Sequence, residues 1–137
     1  MTQVKDKTDQ QLNRALAELM GWTNIQIVET ERIWARKPDD GWSKELPDHQ
    51  WSDYVPDYAG EPAASQEIQT AACAKNKTLY IGNLSYIMLG KSCLYLDAVS
   101  LELAADFCNA SPRERAEAAY ITLSISKEDL NGTVGYR

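Results

Sequence analysis

The sequence predicts an α+β fold, a small antiparallel sheet packed with helices, in a single domain of 137 residues. Three observations carry that prediction. Two segments, one after Thr8 and one after Ser111, open with capping-box residues and continue with apolar residues at helical spacing. Ile25 to Arg36 is rich in β-branched residues and carries Trp34, which suits an extended strand or a short hairpin. Thr78 to Asp106 is a dense apolar run divided by Gly82-Asn83 and Gly90-Lys91, the pattern of two or three antiparallel strands joined by short turns. Helices covering one small sheet are the simplest layering of such an element order.

In the first helix, roughly Asp9 to Met20, Thr8 and Gln11 form the capping box and Leu12, Ala15, Leu16, Leu19 and Met20 share a face. Gly21 follows the last apolar residue, where a glycine ends a helix. After the Ile25–Arg36 strand, Pro38, Pro47, Pro56 and Pro62 with the turn Asp39-Asp40-Gly41 mark a long loop over 37–62. Trp42, Trp51, Tyr54 and Tyr58 are threaded through it, so it is expected to pack across the domain, or against a ligand or a second subunit.

Glu61 to Asn76 reads as a second helix with Pro62 in its first turn, and its small residues Ala64, Ala71 and Ala72 suit close packing on a sheet. Within the strand-rich run that follows, Leu101 to Phe107 has a helical alternative, since Leu, Glu and Ala favour that state. The last helix starts with Ser111 as cap, Pro112 at the first position and Glu114 reaching back, and Ala116, Ala119, Tyr120 and Leu123 line one face. Residues 127–137, with Asn131-Gly132 and Gly135, are expected to form a turn and a loose tail.

Hydrophobic residues make up 44% and charged residues 25%, the balance of a soluble globular protein. With 14 Lys and Arg against 20 Asp and Glu the formal charge is −6, which disfavours nucleic acid and acidic membranes as partners. The N-terminal residues lack the apolar core of a signal peptide, and no apolar run reaches the ~20 residues of a membrane span, so a cytoplasmic location is expected. Cys73, Cys93 and Cys108 are widely spaced and His49 is the sole histidine. No zinc or other metal site is therefore expected, and the cysteines read as partly buried free thiols.

Catalytic chemistry has few candidates. His49 lies among Asp48 and Asp53 in the long loop and is the one group suited to a general base, which leaves a small hydrolase as a minor alternative. No nucleophile elbow, phosphate-binding glycine loop, dinucleotide fingerprint or zinc-protease motif is present. The start of the last helix is better suited to binding. Free amides and the positive dipole end attract phosphate, and Arg113 and Arg115 sit in that turn. Two residues apart, they point roughly 200° away from each other around the helix, so at most one faces a given ligand.

Three segments carry a family resemblance: Ala17-Glu18-Leu19-Met20-Gly21-Trp22, then Val55-Pro56-Asp57-Tyr58-Ala59-Gly60-Glu61-Pro62-Ala63-Ala64, then Ala110 to Tyr120. In that order, across about Leu12 to Leu123, they resemble the phage ABA-sandwich domain family, which implies helices packed on an antiparallel sheet. In size and element order the chain is also similar, more distantly, to phage anti-defence sponges of the Thoeris kind, which sequester cyclic nucleotide or cyclic ADP-ribose signals. That likeness implies two basic residues one turn apart on a late helix; Arg113 answers the first, Glu117 stands at the second, and Arg115 is the alternative. The resulting expectation is a non-enzymatic, cofactor-free, homo-oligomeric phage or prophage accessory protein in the cytoplasm of an infected bacterium. It would bind an anionic nucleotide through Ser111 and Arg113, or Arg115 in place of Arg113, with Tyr86 and Trp51 against the base. The alternative is a protein inhibitor of a host defence protein, anchored by Trp42, Trp51 and Tyr54.

Overall fold

A computed structural model describes residues 2–27, 33–37, 52–91 and 98–125. Its elements are α1 (Thr2–Lys5), α2 (Asp9–Leu19), β1 (Thr23–Ile27), β2 (Ile33–Arg36), β3 (Ser52–Tyr54), α3 (Pro62–Leu89), α4 (Leu101–Cys108) and α5 (Pro112–Ser124). The fold is α+β, with one antiparallel sheet of order β1-β2-β3.

Local chemistry sets the ends of α2. Thr8 Oγ accepts from the Gln11 amide at 3.1 Å, and the Thr8 amide donates to Gln11 Oε1 at 2.9 Å, closing the capping box. Gly21 takes a φ of 96°, and the Gly21 and Trp22 amides donate to the Glu18 and Ala17 carbonyls at 3.1 and 3.0 Å. Those two bonds form a Schellman motif, for which a left-handed glycine is the natural residue. The chain turns directly into β1. A bulge there holds Asn24 at a φ of 53°, a conformation asparagine tolerates better than most residues.

Of the two forms expected over Ile25–Arg36, one strand or a short hairpin, the paired form is present: β1 and β2 pair antiparallel, with Ile27 opposite Ile33 and Gln26 opposite Trp34. The third strand comes from inside the expected loop, Ser52–Tyr54 pairing with β2 so that Tyr54 lies opposite Trp34. Their ring centroids are 4.3 Å apart at an interplanar angle of 52°.

The largest departure from expectation follows. Thr78 to Leu89 is helix and not strand, and Leu101–Cys108 takes the helical alternative; residues 92–97 lie outside the described residues. Tyr80, Asn83, Leu84 and Ile87 are all buried on the second half of α3, at the spacing of one helical face. Gly82-Asn83, read as a turn, is buried in that helix, where Asn83 Nδ2 donates to Thr122 Oγ1 of α5 at 3.0 Å. The expected helix end at Asn76 marks a kink instead. Asn76 is extended (φ −165°, ψ 98°), and its Oδ1 accepts from the Leu79 amide at 3.0 Å, capping the second half of α3 directly after the first.

The small-residue face of α3 packs on α5 rather than on the sheet. Five successive residues of α5, Arg115 to Ala119, are buried, so this helix is enclosed on every side and touches α1, α2 and α3. The core joins Leu12 and Leu16 of α2, Ile68, Tyr80, Leu84 and Ile87 of α3, Phe107 of α4, the α5 alanines, and Tyr58 and Ala59 of the segment entering α3. Cys108 is exposed, in contrast to the partly buried thiol expected there, and Cys73 is half-buried; both are free. Cys93 and the tail at 127–137 lie outside the described residues.

Candidate functional site

At the start of α5 the capping box is closed. Ser111 Oγ accepts from the Glu114 amide at 3.1 Å, and the Ser111 amide donates to Glu114 Oε1 at 2.8 Å. Two of the amides expected to face a phosphate are thereby satisfied within the protein.

The arginines are engaged as well, on opposite sides of the helix. Arg113 Nε donates to Glu117 Oε2 at 2.8 Å and Nη1 to Asp9 Oδ1 at 2.7 Å. Its Nη2 donates to the Val4 and Lys7 carbonyls at 3.1 and 2.7 Å, closing the end of α1. Burial works against the charge of Arg113, but the hydrogen bonds it donates to Glu117 and Asp9 outweigh it and hold the guanidinium more firmly protonated than usual. Glu117, which stands where a second phosphate-binding residue was expected, is the partner that occupies Arg113. Arg115 is 8% exposed; Nη1 donates to Ser65 Oγ at 3.2 Å and Nη2 to the Cys108 carbonyl at 3.3 Å, while Nε has no hydrogen-bond partner among the described residues.

Other basic side chains do similar work. Lys5 Nζ donates to the Ile87 carbonyl near the end of α3 at 3.3 Å. Lys75 Nζ donates to the Leu123 carbonyl at 2.9 Å and also to that of Ile125, closing α5. Lys7 lies 5.4 Å from the centre of the Tyr120 ring. Cations near helix C-termini satisfy carbonyls that the helix leaves unpaired and oppose its dipole. Lys5, Lys75, Arg113 and Arg115 each hold such a carbonyl. Arg113 and Arg115, expected to seat a phosphate, thus tie α5 to neighbouring elements, in part through Asp9, Val4, Lys7 and Ser65, which are distant in sequence, while Ser111 caps its own helix.

Tyr86, expected on a strand, is half-buried on α3, and Trp51, Trp42 and His49 lie outside the described residues. Among the described residues, no group of three His, Cys, Asp or Glu is placed to hold a metal ion, and no helix is long and apolar enough to cross a membrane.

A different feature has the shape of a binding site. Met20, Trp22, Lys37, Tyr54, Pro56, Tyr58 and Glu67 line a cleft of about 450 Å³. The volume falls in the ~300–1,000 Å³ range of small-molecule sites. Four stretches of chain converge on it: the α2 turn, the end of β2, the run from β3 towards α3, and α3. Tyr54 ends β3, and the chain then turns tightly at Asp57, where the Tyr58 amide donates to the Pro56 carbonyl at 3.0 Å. Tyr58 is the fixed floor, 1% exposed. Its hydroxyl is pushed up to about 12 by burial and by the negative charge of Glu67, against an opposing hydrogen bond from Trp22.

The Tyr58 segment is anchored by Asn13 of α2. Asn13 Nδ2 donates to Asp57 Oδ1 at 2.8 Å, and Asn13 Oδ1 accepts from the Ala59 amide at 2.9 Å. A second, wider groove of about 1140 Å³ runs past Asp9, Asp57 and Glu61 and is acidic. Trp22 and Tyr58 entered the sequence reading only as parts of a helix end and a loop. The available signal was the closeness of Tyr54, Pro56 and Tyr58 in the chain together with a tryptophan directly after the helix-ending glycine.

No protein-family model, curated protein or solved structure matches the chain.

Proposed function

We propose that this protein binds and sequesters, without converting it, an anionic nucleotide messenger of the cyclic nucleotide or cyclic ADP-ribose kind, as a phage anti-defence sponge does. The seat is the aromatic cleft and not the start of α5. The observation that carries this reading is the convergence of Trp22 and Tyr54, over the buried Tyr58, on a ligand-sized cleft that also holds Lys37. Aromatic faces take up bases by stacking whatever the base, and a lysine ammonium serves a phosphate as a point charge. The closed capping box and the engagement of Arg113 and Arg115 argue against the alternative seat.

The phage setting comes from the likeness of the three sequence segments to phage ABA-sandwich domains. Sequestration also favours a homo-oligomer, because a ligand enclosed between copies is held away from water. The test is to mix the protein with cyclic nucleotides and cyclic ADP-ribose, record native masses, and analyse what heat denaturation releases. Intact ligand at defined stoichiometry is the expected result. A chemically altered ligand would make the protein an enzyme. Absence of any nucleotide complex would refute the reading.

A further inference from the structure

We propose that Glu67 makes the aromatic cleft selective for guanine, so that the sequestered messenger is a guanine nucleotide; this rests on the cleft being a nucleotide seat. Glu67 projects from α3 into the cleft that Trp22 and Tyr54 line, and its charge is felt at the buried Tyr58 hydroxyl. It is exposed and makes no hydrogen bond or ion pair with the described residues. A carboxylate can only accept, and its two oxygens fit two parallel N–H donors side by side.

Among the common bases, guanine alone presents such a pair, N1–H beside the N2 amine. Adenine and cytosine place an acceptor nitrogen next to their exocyclic amine, and that acceptor would face the second carboxylate oxygen. Uracil and thymine flank a single N–H with two carbonyl oxygens, which the carboxylate repels. With guanine stacked on the rings and its N1–H edge at Glu67, the phosphate points away from the carboxylate; Lys37, which also lines the cleft, is a charge of the opposite sign. The helix holds the Glu67 backbone, so selectivity needs only a rotamer choice and no rearrangement of the fold.

Calorimetric titration of the full chain with 3′,5′-cyclic GMP, cyclic IMP and cyclic AMP tests this, together with the variant Glu67→Gln. The expected order is cyclic GMP tightest, cyclic IMP weaker because it lacks the N2 amine, and cyclic AMP weakest. Glu67→Gln is expected to weaken cyclic GMP about 10- to 100-fold, the loss of a charge-assisted pair, and to strengthen cyclic AMP, whose ring-nitrogen acceptor then meets the carboxamide N–H. Since Glu67 is exposed, an unchanged melting temperature accompanies that result. Equal binding of cyclic AMP and cyclic GMP, or a guanine preference that survives Glu67→Gln, overturns the selectivity while leaving the cleft as a nucleotide seat. Binding of trimethyllysine with no nucleotide binding would make the cleft a cation cage and overturn both.

Discussion

Replacing Arg113 by alanine removes four hydrogen bonds at once: to Glu117, to Asp9, and to the Val4 and Lys7 carbonyls. The largest consequence falls on Glu117, a residue 6% exposed that loses its ion-pair partner. Breaking a buried pair by removing one member costs about 3–5 kcal/mol. The Arg113 side chain is 25% exposed, so water reaches part of the gap, and about 2–4 kcal/mol is the expected loss. For a domain of this length that lowers the melting temperature by about 10 °C. Calorimetry or circular dichroism reads the shift. Arg113→Met with Glu117→Leu should recover part of it, because the orphaned carboxylate is then absent. Below the melting temperature, ligand affinity of Arg113→Ala should match that of the natural chain. Unchanged stability together with a tenfold or greater loss of nucleotide affinity would refute the reasoning and return the phosphate to α5.

Three further outcomes are expected. Tyr58 is raised from an ordinary value near 10 to about 12, and Tyr80 is raised by burial, so above pH 10 the unfolded chain releases protons that the folded one retains. Stability should therefore be level with respect to these groups below pH 10 and decline from pH 10 towards 12, with delayed tyrosinate absorbance; Tyr58→Phe should shrink the decline. Asn76→Ala uncaps the second half of α3 and should cost about 1 kcal/mol in urea unfolding; no change would mean that the kink has no capping role. Asn13→Ala leaves the buried Ala59 amide without its acceptor and should cost about 1–3 kcal/mol, while loosening the Tyr58 segment enough to weaken ligand binding.

What could be read from the sequence was what local spacing determines. Thr8 and Gln11, Ser111 and Glu114, and Gly21 after Met20 act over three or four residues, and each forms the motif its spacing predicts. The second half of α3 was misread because Tyr80, Ile81, Tyr86 and Ile87 favour strands and Gly82-Asn83 resembles a turn. The polar Asn83 interrupts the apolar periodicity, and its buried Nδ2 finds a partner only in Thr122, 39 positions away. Distance along the chain also hid the role of Arg113, whose carboxylate partner Asp9 is 104 positions away. A helix start with two arginines looks like an anion site until those partners arrive. The cleft was hidden for the same reason, since Trp22, Lys37, Tyr54 and Glu67 meet only in the folded chain.

The proposed function assigns ligand binding to the aromatic cleft and leaves the arginines of α5 to hold the fold together. The most direct measurement is the affinity of the natural chain, Trp22→Ala and Arg113→Ala for cyclic GMP under conditions in which all three are folded. Loss of one stacking face is worth about 1–3 kcal/mol, so Trp22→Ala should bind about 5- to 150-fold more weakly. Arg113→Ala should bind as the natural chain does. The reverse pattern, with Trp22→Ala unaffected and Arg113→Ala unable to bind, would contradict the account.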